Sequence, residues 1–110
     1  MLKTILLDLD GVLNKYDGNY DKEYIPSIKE GAYELIKELY QNYKIVIFTV
    51  RNSLIVSKWL IENGLDKYVE NVTNVKEPAH LIIDDRCINF DGVYEKLKKE
   101  IEKFNAWYKK

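Results

Sequence analysis

Three short apolar runs, Ile5-Leu6-Leu7, Ile45-Val46-Ile47-Phe48 and Leu81-Ile82-Ile83, each stop at a polar residue: Asp8, Thr49 and the pair Asp84-Asp85. Continuous apolar runs, unlike alternating ones, mark strands covered on both faces, as parallel strands are. After the first run, Ile28, Ala32, Leu35, Ile36, Leu39 and Tyr40 recur at spacings of three and four, which predicts an amphipathic helix. Ser27 with Glu30 offers it a capping box, and Gly31 an alternative start. Residues 53–63 predict a second helix, with Leu54, Ile55, Trp59 and Leu60 inward and Asn63-Gly64 as its stop. Residues 68–75 read as a weaker strand, and Val93, Leu97, Ile101, Phe104 and Tyr108 mark a C-terminal helix starting at Asp91 or Gly92. Strands alternating with helices predict an α/β fold: a three-layer, Rossmann-like parallel sheet flanked by helices.

The 110 residues are read as one domain, 1–110, without repeat or linker. A chain of this size buries roughly two thirds of its unfolded surface and needs no metal or disulfide to hold its core. A net charge of −1 argues against affinity resting on a global basic field. No apolar run approaches the roughly 20 residues needed to span a bilayer, so no membrane is expected. The N-terminal run acquires Asp8 and Asp10, unlike a signal peptide, and Cys87 has no internal disulfide partner; a cytoplasmic protein is expected.

Parallel strands put their C-terminal ends on one edge of the sheet, where ligands of such folds bind. Asp8, Thr49, Asp84 and Asp85 are therefore expected to converge. Carboxylates a few ångströms apart raise the pKa of at least one of them unless a cation lies between. A hard divalent ion such as Mg2+ resolves that repulsion. Lys76 and Arg51 are the cationic candidates for an anionic substrate, and Thr49 the hydroxyl donor. Carboxylates, a hard metal, a lysine and a hydroxyl together suggest phosphoryl transfer, which is catalysed by positioning and charge neutralisation.

Asp8-Leu9-Asp10-Gly11-Val12-Leu13, Thr49, Lys76 and Asp84-Asp85 resemble the four ordered signatures of the haloacid dehalogenase (HAD) superfamily, over nearly the whole chain. Thr49-Val50-Arg51 and Ile83-Asp84-Asp85-Arg86 resemble a small capless phosphatase-like subgroup and the phosphatase domain of bacteriophage polynucleotide kinases. The proline that usually follows the lysine is displaced here, giving Lys76-Glu77-Pro78. The resemblance implies a Mg2+-dependent phosphomonoester hydrolase. Asp8 would be the nucleophile that forms an aspartyl-phosphate. Asp10 would be the general acid/base, lending its backbone carbonyl to the metal. Thr49 and the Val50 N–H would hold phosphoryl oxygens, Lys76 would neutralise Asp8 and the phosphoryl group, and Asp84 and Asp85 would complete the metal site. Arg51 is either a second substrate contact or a surface salt bridge.

Superfamily members often carry a cap domain, for which this chain has no room: residues about 12–25 suffice only for a flap hairpin, signalled by Asp17-Gly18. An open site suits a phosphorylated small molecule or polynucleotide end, or closure by a second copy in a homo-oligomer. Tyr16, Tyr20 and Tyr24 either stack on a nucleotide or pack the flap down. The competing functional class is a phospho-acceptor or binding module on the same fold, as in receiver domains; an Asp two residues after the nucleophile favours turnover. His80 reads as structural, Cys87 as a partly buried inert thiol, and the basic C-terminal helix as a solvated face. Trp107 or Tyr108, if exposed, would suit a dimer interface.

Overall fold

The computed structural model describes residues 2–109. Its chain runs β1 (Lys3–Asp8), α1 (Ala32–Tyr40), β2 (Tyr43–Phe48), α2 (Ser53–Glu62), β3 (Asn71–Thr73), β4 (Leu81–Ile83) and α3 (Tyr94–Lys103), with 3-10 turns at Asp66–Tyr68 and Trp107–Lys109. The four strands form one parallel sheet in the order β3-β2-β1-β4, flanked by three helices, a Rossmann-like α/β arrangement. Leu7 lies beside Ile47 on one side and Ile83 on the other. The apolar runs thus align, and their polar ends follow at one edge.

Leu7, Ile45 and Ile47 meet Ala32 and Ile36 of α1 and Val56, Trp59 and Leu60 of α2 in the main core. Asn52 starts α2 by accepting the Leu54 N–H at 2.9 Å, and Gly64 ends it with φ +69°. Val56 faces inward in place of the expected Leu54, which is 77% exposed. Leu35 and Tyr40 of α1 are likewise exposed.

Several boundaries differ from the sequence expectations. Helix α1 starts after Gly31, at φ +90°, and the Ser27–Glu30 box does not form. The backbone there is occupied elsewhere: Lys15 N–H donates to the Ser27 carbonyl at 2.9 Å and Lys29 N–H to the Leu13 carbonyl at 2.8 Å. This Asn14–Ile28 bridge closes the flap at its base. Residues 15–25 form no hairpin strands; Asx turns at Asp17 and Asp21 consume the amides of Asn19 and Glu23. Strand β3 is three residues long because the chain before it coils into the 3-10 turn. Strand β4 is an edge strand with Leu81 and Ile82 well exposed, unlike the doubly covered strand expected, and no residue of α3 is buried. Helix α3 stops at Lys103, five residues before Tyr108. Phe104 turns extended (ψ 134°), and Trp107 then donates its indole N–H to the Gly11 carbonyl at 2.9 Å.

No helix among the described residues is long and apolar enough to cross a membrane. The core assignment predicts a sharp contrast in urea denaturation. Ile47→Ala removes a fully buried side chain and is expected to destabilise by about 2–5 kcal/mol. Leu54→Ala should fall within about 0.5 kcal/mol of the parent.

Candidate active site

The chain leaves β1 at Asp8 and turns through Leu9–Leu13, where the Leu13 N–H donates to the Leu9 carbonyl at 2.9 Å. Gly11 takes φ +84° in this turn, and any side chain there would collide with the Asp85 carboxylate. Strand β4 delivers Asp84 and Asp85 beside Asp8, and one carboxylate oxygen from each of the three lies within 4.8 Å of the others.

This crowding has the electrostatic consequence expected of it. Burial, reinforced by Asp84 and Asp85, raises the Asp8 carboxyl from 3.8 to about 7. Asp85 is also raised, by burial and then by Asp84. Both Asp85 carboxylate oxygens are buried without a hydrogen-bond partner, an arrangement costly for a carboxylate unless a cation supplies the missing interaction. An all-oxygen, all-carboxylate donor set suits a hard divalent cation such as Mg2+, and the partnerless Asp85 oxygens fit one.

The Asp10 carboxylate stands outside this trio. Its Oδ1 accepts the Asn14 side-chain N–H at 3.0 Å, and Arg51 Nε donates to both its oxygens, at 2.9 and 3.2 Å. Asn14 is itself fully buried, and its Oδ1 accepts the backbone N–H groups of Gly11 and Tyr16, both at 3.1 Å. Arg51 is thus a buried ion-pair partner of Asp10, not a surface salt bridge.

A cleft of about 180 Å³ opens beside these groups, lined by Asp8, Asp10, Thr49, Val50, Asp84, Tyr16, Tyr20, Phe48 and Arg86. Thr49 is buried at the end of β2, its N–H donated to the Thr73 carbonyl at 2.9 Å and its Oγ1 accepting the Arg51 N–H at 3.2 Å. Lys76 stands exposed on the loop between β3 and β4 and does not line this cleft. Arg86 is the cation that lines this cleft. Tyr16 packs edge-on against Tyr108 at 5.5 Å, and Tyr20 covers the Arg51 guanidinium at 4.6 Å; Tyr24 lies exposed, away from the cleft. Trp107 packs on the Gly11 turn and edge-on against Tyr108, yet remains 43% exposed. His80 contributes a backbone N–H to Thr4, and Cys87 is exposed, not partly buried, with its thiol donated to the Asp84 carbonyl at 3.1 Å.

Asn14 is a site residue that sequence reasoning missed, while Arg86 was noted only within the Ile83–Arg86 motif and Trp107 only as an interface candidate. Asn14 lies four residues beyond Asp10 and Arg86 directly follows the Asp84-Asp85 pair, so each had a local signal; nothing local tied Trp107 to the Gly11 turn, 96 positions away.

No protein-family model matches this chain, and no curated protein matches it. A solved structure of a conserved protein from Bacteroides thetaiotaomicron is similar with a TM-score of 0.63 at 20% identity, covering 94% of this chain and 92% of that one. That likeness shows the α/β fold.

The raised Asp8 carboxyl makes stability depend on pH with a definite sign. Its ionisation costs more in the folded protein than in the unfolded chain, so its contribution to stability is present below about pH 4 and lost as pH rises through about 7. In EDTA at pH 8, Asp8→Asn is therefore expected to melt above the parent protein, and the two should converge near pH 4. Added Mg2+ should raise the melting temperature of the parent more at pH 8 than at pH 5.5, and should not raise that of Asp85→Asn. Calorimetric melts across this pH range check both.

Proposed function

We propose that the protein is a Mg2+-dependent phosphomonoester hydrolase of the HAD type, working through a covalent intermediate on Asp8. The observation that carries this reading is the meeting of Asp8, Asp84 and Asp85 beside the cleft, with both Asp85 oxygens buried and partnerless. Asp8, Asp84 and Asp85 would hold the ion, together with the Asp10 backbone carbonyl. When bound, Mg2+ supplies charge neutralisation that lets an anionic phosphoryl group approach these carboxylates.

In this reading an Asp8 oxygen attacks phosphorus, and the bond from phosphorus to the ester oxygen breaks. Asp10, carrying a proton taken up from solvent, gives it to the departing oxygen, and a free alcohol leaves. Water then attacks the aspartyl-phosphate, Asp10 takes back a proton, and inorganic phosphate leaves with the Asp8 carboxylate restored. Thr49 and the Val50 N–H at the cleft wall would orient phosphoryl oxygens, and Arg86 takes the charge-balancing role that the resemblance assigns to Lys76. Tyr16 and Tyr20 on the cleft wall support a nucleotide or a polynucleotide phosphate as substrate. An exposed, unpaired Cys87 suits a reducing cytoplasm.

The purified protein is expected to hydrolyse an aryl phosphate such as p-nitrophenyl phosphate, and EDTA should abolish this. Asp10→Asn should lower turnover by about 10²–10⁴-fold, and Asp8→Asn should abolish it. Full turnover by Asp8→Asn would refute the mechanism. The absence of Lys76 from the cleft favours a second reading, a phospho-acceptor that holds its phosphate. A long-lived acyl phosphate with negligible turnover is the result that would select it.

A further inference from the structure

The Arg51 side chain is fully buried, yet it serves two parts of the molecule at once. Nε donates to both oxygens of Asp10, while Nη1 donates to the Asp21 carbonyl on the flap at 2.7 Å. The face of the same guanidinium lies under the ring of Tyr20. Nη2 is buried with no acceptor among the described residues. A planar group with rigidly directed N–H bonds transmits orientation: if the flap moves, Arg51 moves, and Asp10 turns with it. Asn14 holds Oδ1 from the other side, so the Asp10 carboxylate is fixed by donors in two directions. Burial of a guanidinium with one nitrogen unsatisfied detracts from stability, so the arrangement is not explained by stability alone.

We infer that Arg51 is a positioning residue: it latches the flap over the cleft and sets the orientation of Asp10. The catalytic half of this inference rests on the proposed hydrolase function; the latch half does not. Protonation of the leaving oxygen matters most when that oxygen is strongly basic. Misorienting Asp10 must therefore harm alkyl phosphates far more than activated aryl phosphates, a pattern that general loosening of the fold would not produce.

The test compares Arg51→Met and Arg51→Lys with the parent on glycerol 2-phosphate and 2,4-dinitrophenyl phosphate. The loss in kcat/KM, which reports only the steps up to departure of the alcohol, is expected to be at least about tenfold greater on the alkyl ester, and Arg51→Met should add little to Asp10→Asn in the double variant. Equal losses on the two esters, or fully multiplicative losses in the double variant, overturn the positioning role. Amide hydrogen exchange, which needs no turnover, should quicken across residues 17–24 in both variants and stay unchanged in β1 and β2. Unchanged flap exchange overturns the latch. Hydrolysis of neither ester by the parent would refute the hydrolase function itself and, with it, the catalytic half, while the exchange result still decides the latch. Arg51→Lys keeps the charge and most of the bulk, and carries the comparison if Arg51→Met does not fold.

Discussion

Parallel hydrogen bonding of β1 to a neighbour on each side is the constraint on which the rest of the molecule depends. With β2 and β4 paired in register along β1, Asp8 and Asp84 must emerge side by side, with Thr49 just beyond on the other flank. Leu7, Ile45 and Ile47 anchor that register in the core, where a shift of one residue would turn every apolar side chain to the wrong face. The core thereby holds together carboxylates that repel one another. Burial first, and then the neighbouring charges of Asp84 and Asp85, raise the Asp8 carboxyl, which makes it the group whose ionisation a divalent cation would ease.

One tight turn ties the rest of the site to this edge. Gly11 leaves room for the Asp85 carboxylate, offers its carbonyl to Trp107 and its N–H to Asn14, and Asn14 in turn holds Asp10. A change at Gly11 would therefore disturb the carboxylate trio, the Asp10 clamp and the docking of the C-terminal segment together. The two acids of the Asp8-Leu9-Asp10 segment end in different surroundings, one among like charges and the other between Arg51 and Asn14. Differing environments are what two carboxylates need to play different chemical parts.

The four strands, the positions of α1 and α2 and the convergence of Asp8, Thr49, Asp84 and Asp85 were legible in the sequence. Each rests on local periodicity or on the rule that parallel strands share a C-terminal edge. The parts that were not legible follow from competition with distant partners. Ser27 was a plausible helix cap, but its backbone is taken by the strand-like bridge to the Asn14 arm. The C-terminal apolar pattern continues past Lys103, but Trp107 gains a hydrogen bond on the Gly11 turn only if the helix ends first.

The sequence by itself determined an α/β chain with acids at the ends of its strands, because apolar run length, helical spacing and the placement of Gly11 are encoded among near neighbours. Only the tertiary structure decided how those charges are shared out. Arg51 reaches Asp10 across 41 positions and Trp107 reaches Gly11 across 96. The same packing leaves Lys76 outside the cleft and Arg86 on its wall. Which cation meets which carboxylate depends on loop paths and burial, and these take shape only after the sheet has brought the distant ends together.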